Sequence, residues 1–203
     1  MPAIREYPVM DIKLPADLVG VPAGKLPEAI LRPLKGFPAG KMHHKAATAF
    51  NCLQLAAFFA GIELMPVSAG DCYRSYDAQM KLFLSRYEQA PTGRTPEVTR
   101  KFEGKTWYLK KGVAPAGTPG SSNHNSGLAV DIRNASGARL DWMIGDQNIP
   151  FGGGSPVVQY GFSWEVKDPK NPNAESWHIR YCSGDTWTPK VEEMLKAFPD
   201  LKA

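Results

Sequence analysis

From Lys41 to Ile62, apolar residues recur at three- and four-residue steps: Ala46, Ala49, Phe50, Leu53, Ala57 and Ala60. That spacing lines one face of a helix, and Gly61 is placed to stop it. A second helix is predicted in SYDAQMKLFLSRYEQ, opening at Ser75 or Tyr76 with Asp77 in its first turn, where the helix dipole favours an acid. A short helix is expected near Asp141–Gly145 and a last one in TPKVEEMLKAF. Alternation replaces the helical step in GLAVDIR (Gly127–Arg133), where Leu128, Val130 and Ile132 oppose Ala129 and Asp131. Further strands are expected around Thr106–Lys110, in YGFSWEV and in SWHIRY, with a short one entering a turn in MPVSAGDCYRS.

Between these elements, residues 90–121 form a long connection, a length that is usually functional or mobile in a compact domain. Residues 1–40 carry Pro15, Pro22, Pro27, Pro33 and Pro38 and read as an extended arm with one helical turn, packed on the body. The predicted architecture is a single α+β domain over residues 41–203, with a central, mostly antiparallel sheet flanked by helices.

Composition changes this picture little. The 203 residues are 43% hydrophobic, enough for a real core without disulfides. The 18 prolines, roughly twice the usual share, argue for long ordered loops. A net charge of +4 is spread without a run of five or six like charges. It fits mild attraction to an anionic polymer such as a cell wall. Nucleic acid is not the expected partner, since the sequence shows no basic stripe interleaved with aromatics and no recognition motif. Cys52, Cys72 and Cys182 form no C-x-x-C pair and are odd in number, so buried free thiols are expected, with a Cys52–Cys72 or Cys72–Cys182 bridge as the alternative. The start, MPAIREYPVMDIKLPAD, lacks the apolar stretch of a secretory signal, and Leu53–Leu64 is too short and interrupted to span a bilayer. The expectation is a monomer made in the cytoplasm. Any wall substrate is then reached through a membrane lesion or by delivery in a virion.

The four histidines can be weighed one by one. His43 and His44 are adjacent at the start of the first helix, and neighbours on a helix point apart, so surface or capping roles are expected rather than a shared metal. His124 and His178 each lie beside a carboxylate, in S-x-H-x-x-G-x-A-x-D (Ser122–Asp131) and E-x-W-H (Glu175–His178). Two neutral imidazoles and one carboxylate are a common three-ligand set for catalytic zinc, and a further carboxylate can take a proton from the water in the open position. Asp131 projects from the face opposite the apolar one, beside the small Ala129. Glu175 is expected in the loop before its strand, bent back over the metal.

SSNHNSGLAVDI and ESWHIRY resemble the two signatures of the zinc D-Ala-D-Ala carboxypeptidase and L-alanyl-D-glutamate endopeptidase family, and CYRSYDAQMKLF (Cys72–Phe83) is similar to its Y-R-S-x-x-x-Q segment. That family includes vancomycin-resistance carboxypeptidases and many bacteriophage endolysins and shares its core with Hedgehog domains. The likeness covers about residues 42–183. It implies one Zn2+ per chain on His124, Asp131 and His178, with Glu175 as base and Arg74 gripping the substrate carboxylate or steadying the oxyanion. Gln79 either orients Arg74 or touches substrate, Ser122 either bonds substrate or shapes its loop, and Trp177 is expected to pack beneath the site more than to contact substrate. TWYLKKGVAPAGTPG is similar in style to actinobacterial-phage endolysins.

The function expected from this reading is hydrolysis of an amide bond in peptidoglycan stem peptides, first as an L-Ala-D-Glu endopeptidase and alternatively as a D-Ala-D-Ala carboxypeptidase. The rival readings are a zinc enzyme on another substrate and a non-catalytic zinc module that binds wall or builds a virion.

Overall fold

The chain is described from a computed structural model, over residues 5–145 and 154–203. Strand β1 (Leu31–Pro33) pairs antiparallel with β2 (Lys41–His43), which runs directly into helix α1 (His44–Phe59). The first part of α1 is buried on every side, from Ala46 through Leu53, because its alanines let neighbouring elements approach closely. The helix ends as expected at Gly61. Gly61 adopts φ +71°, and the N–H groups of Gly61 and Ile62 close back on the carbonyls of Phe58 and Ala57, the paired bonds of a Schellman stop.

Helix α2 (Tyr76–Arg86) is capped by the Ser75 hydroxyl, which accepts the Ala78 N–H at 3.2 Å. It leads into β3 (Tyr87–Glu88), β4 (Thr99–Phe102) and β5 (Lys105–Leu109), a sheet in the order β3-β5-β4. Only the last of these was expected inside the long connection. Its partner β4 is joined to it by Glu103–Gly104, both at positive φ, a tight turn that lacks the usual Asn-Gly signal. The hairpin has a small core of its own on Phe83, Tyr87 and Leu109, with the Phe83 and Tyr87 rings stacked at 4.7 Å.

The remaining elements are β6 (Ala129–Asp131), α3 (Gly137–Ile144), α4 (Pro156–Gln159), β7 (Phe162–Ser163), β8 (His178–Tyr181) and α5 (Pro189–Ala197). Residues 151–153 of the glycine run Phe151–Ser155 lie outside the described residues. Strand β8 is central in the order β6-β8-β7, and both ladders are antiparallel. The fold is therefore the expected α+β domain with antiparallel pairing, its described strands shared among three small sheets. Residues 5–40 wrap the main core, to which Leu18, Leu26, Leu31 and Leu34 contribute.

Cys52, Cys72 and Cys182 are free and buried, and neither of the alternative bridges forms. Burial pushes the Cys52 and Cys72 thiols up to about 12, so they are inert as nucleophiles or ligands. Among the described residues, no helix is long and apolar enough to cross a membrane.

Candidate metal centre

Strand pairing places the first two groups of the site. In the β6–β8 ladder Asp131 is opposite His178, and Asp131 Oδ1 lies 2.7 Å from His178 Nδ1. His124 comes from the 3-10 turn Asn123–Ser126 that feeds β6, and its Nε2 lies 3.4 Å from the same Oδ1. Gly127 closes that turn at φ +67°, where a Cβ would meet the backbone nitrogen of His43 at 3.0 Å, so the turn requires glycine. The three ligating atoms lie within 4.8 Å of one another.

The outward nitrogens decide what this cluster can hold. His124 Nδ1 lies 3.0 Å from the carbonyl of Cys72 and donates to it, which leaves the lone pair of Nε2 facing Asp131. His178 Nε2 lies 3.1 Å from Glu165 Oε1. Backed by acceptors, both rings turn nitrogen lone pairs inward beside a carboxylate oxygen, which suits a divalent cation held by nitrogen and oxygen. Without a cation, a proton on His178 Nδ1 fills the short gap to Asp131. Burial alone would disfavour that charge, but hydrogen bonds to Asp131 and Glu165 outweigh it and raise His178 to about 9. The same bonds, with those of His124, overcome burial and hold Asp131 well below the usual carboxylate range.

Glu175 lies in the loop before β8, as expected, and its carbonyl accepts the His178 N–H at 3.2 Å. Its carboxyl is pushed up by burial and by Asp131 and Glu165, against the opposing pull of His178. That is the direction a general base needs to return a proton later. Arg74 is mostly buried and held through all three nitrogens, to Gly70 O (2.8 Å), Gln79 Oε1 (2.9 Å) and Asp71 Oδ1 (3.1 Å). An N–H remains on each terminal nitrogen. The Arg74 N–H bonds the His124 carbonyl at 3.0 Å, so one backbone network positions cation and ligand together.

Other expected site residues divide. Gln79 is fully buried, bonds Arg74 and donates to Gly117 O at 2.8 Å; it is placed to orient Arg74 and is out of reach of a substrate. Ser122 precedes the His124 turn, and its carbonyl accepts the Asn125 N–H at 2.9 Å. Trp177 does not pack beneath the site. Its side chain is 43% exposed, on the wall of a groove of about 500 Å3 shared with Asp71, Asp131 and Ser176. His43 takes the expected capping role, its Nδ1 accepting the Lys45 N–H, but the two rings do not point apart. Both Nε2 atoms reach Asp17, at 2.8 and 2.9 Å, because His43 is the N-cap and lies outside the helix whose geometry would separate them.

Glu165 was not singled out from the sequence. The β7–β8 ladder pairs Ser163 with Arg180, and two residues further on the same register sets Glu165 beside His178. Its carboxyl is held below its ordinary range, first by the hydrogen bond from His178, against the effect of burial. The signal was the FSWE end of a predicted strand, which acquires meaning only once its partner is known.

The chain matches the family model for the VanY D-alanyl-D-alanine carboxypeptidase over residues 39–184. It is 34% identical over 144 residues to the putative carboxypeptidase YodJ of Bacillus subtilis (strain 168), a match covering 68% of this chain and 45% of that relative. The chain thus spans less than half the length of the curated relative it matches. Its fold is similar to that of the LdcB LD-carboxypeptidase, with a TM-score of 0.50 and 23% identity over 88% of this chain and 78% of the other. The VanY D,D-pentapeptidase of the VanB-type resistance cassette, solved with Zn(II), gives a TM-score of 0.46 and 20% identity over 86% and 88%. With the family model spanning both histidine motifs, the chain belongs to the VanY D-alanyl-D-alanine carboxypeptidase family.

Proposed function

We propose that this chain is a zinc-dependent carboxypeptidase that removes the terminal residue from peptidoglycan stem peptides. The observation that carries the reading is the convergence of His124, Asp131 and His178, whose charges all act on the Glu175 carboxyl, in a chain of this family. His124 Nε2, Asp131 Oδ1 and His178 Nδ1 would hold the metal. When bound, zinc supplies a water of lowered pKa and polarises the scissile carbonyl.

Glu175 accepts the proton of the attacking water and later delivers it to the leaving amine. Arg74, fixed by Gln79 and Asp71, presents its remaining N–H donors to the terminal carboxylate of the peptide. The groove beside Asp131, walled by Trp177 and Ser176, is the approach for the stem peptide. The endopeptidase expected first, on the likeness to phage endolysins, gives way to the carboxypeptidase because the matching family model is one of carboxypeptidases.

Digestion of purified peptidoglycan, read by mass spectrometry, tests the proposal. Wild type is expected to remove a single terminal D-Ala, and Glu175→Ala to lose about 10²–10⁴-fold in rate. A newly exposed L-Ala terminus would instead identify an endopeptidase. Inertness of the folded, zinc-loaded wild type on every wall tried would end the catalytic reading.

A further inference from the structure

Glu165 stands where the metal centre needs an acceptor. Its Oε1 is 3.1 Å from His178 Nε2, on the side of the ring away from Asp131. The placement follows from pairing: His178 on central strand β8 has Asp131 of β6 opposite it on one side, and on the other the continuation of β7. Asn123, next to the ligand His124, donates its Nδ2 to the same Oε1, and Arg180 Nη1 approaches it at 3.7 Å. Of these contacts the one with Arg180 is too long for a hydrogen bond, so Glu165 is more than that arginine's counter-ion.

We propose that Glu165 is the positioning carboxylate of the metal centre: by accepting the Nε2–H of His178 it fixes the tautomer in which Nδ1 offers its lone pair to the cation. An imidazole carries one mobile proton when neutral. With an acceptor at Nε2 that proton stays there; without one it can move to Nδ1, where it blocks ligation and faces Asp131. The carboxylate also stops the ring from rotating and makes Nδ1 more basic, hence a better donor. Asn123 links Glu165 to the turn that carries His124, so the two ligand histidines are braced by one network. Glu165 touches neither the reacting atoms nor the cation. The roles of the two glutamates are therefore separate, Glu175 for the proton and Glu165 for the ligand.

This inference rests on the proposal that His124, Asp131 and His178 hold zinc, and one experiment separates the two. Zinc dissociation constants are measured by competition with a fluorescent chelator for wild type, Glu165→Ala, Glu165→Gln and Glu175→Ala, with the thermal midpoint of each metal-free form measured alongside. Glu165→Ala is expected to weaken zinc about 10–100-fold. Glu165→Gln, whose amide oxygen still accepts from Nε2, recovers most of that loss, while Glu175→Ala binds zinc like wild type. Wild-type affinity in Glu165→Ala, even with a lowered metal-free midpoint, overturns the inference alone and makes Glu165 a structural partner of Arg180. No zinc binding by wild type overturns both readings. Should Glu165→Ala fail to fold, long-range 1H–15N NMR of zinc-loaded wild type decides: a protonated Nε2 on His178 supports the assignment and a protonated Nδ1 refutes it.

Discussion

Among the described residues there are two clusters of two histidines and one aspartate, and they differ in where the protons sit. In Asp17/His43/His44 the carboxylate oxygens each take one imidazole, at 2.8 and 2.9 Å. In His124/Asp131/His178 both imidazoles converge on one oxygen, at 3.4 and 2.7 Å. Composition and distance barely separate them; the far side of each ring does. His43 Nδ1 accepts the Lys45 N–H at 3.3 Å, so the proton of that ring is on Nε2, pointing at Asp17. His124 and His178 instead have acceptors behind them, Cys72 O and Glu165. The first cluster is thus a clamp tying the 3-10 turn Ala16–Leu18 to the start of α1, and the second a donor cage. What surrounds the ligands, more than which ligands they are, makes a metal site.

The sharpest way to break this comparison is to remove each aspartate and count zinc. Asp131→Ala is expected to weaken zinc by more than the roughly 100-fold reached by losing a supporting group, since a ligand itself is gone. Asp17→Ala should keep the wild-type stoichiometry and affinity. A lost zinc equivalent in Asp17→Ala, measured by equilibrium dialysis, would make the clamp a second metal site.

The two clusters should also respond oppositely to pH. Metal-free His178 is raised to about 9 from its ordinary 6.5 by Asp131 and Glu165, in spite of burial. Its contribution to stability is full below pH 6.5 and is lost as pH climbs through about 9. Zinc must displace that proton, so affinity should rise roughly tenfold per pH unit up to about 9 and then level off. His43 is shifted the other way: burial lowers it below 6.5, with Asp17 only partly offsetting this. The clamp is therefore stable above pH 6.5 and weakens as acid protonates His43. Chelator competition from about pH 6 to 9.5 checks the first slope, and melting of the metal-free chain from about pH 4 to 9.5 checks both.

How far the site could be read without a structure follows from the range of each interaction. His124, Asp131 and His178 lie in short motifs, so their types and spacing announce them. The Gly61 stop, the Ser75 cap and the α+β class were likewise written locally. Glu165 was not, because its partner is fixed by the β7–β8 register across the sheet. Strand β4 was missed because its turn uses Glu103–Gly104 in place of the favoured residues. His43 caps the helix as its place at the start suggests, but a cap residue lies outside helical geometry, so helix spacing does not separate its ring from that of His44. Trp177 is expected beneath the site, next to the ligand His178, yet its side chain faces solvent on the groove wall, a placement that spacing does not encode.

The smallest effects separate the two arms of the clamp. His43 is fully buried, so Asp17→Ala leaves its Nε2–H without an acceptor and should cost about 1–3 kcal/mol. His44 is partly exposed, 31% by side chain, and water can replace Asp17 at its ring. His44→Ala should therefore cost less than about 1 kcal/mol, in the range of exposed pairs. Both values come from denaturant unfolding at neutral pH with zinc saturating, which keeps the metal cage constant. The ordering matters more than the sizes. Equal losses would mean that the clamp works as a charged pair on the surface and that His43's burial is incidental. A large loss for Asp17→Ala beside a small one for His44→Ala assigns the clamp to the buried imidazole, and with it the docking of the N-terminal segment onto α1.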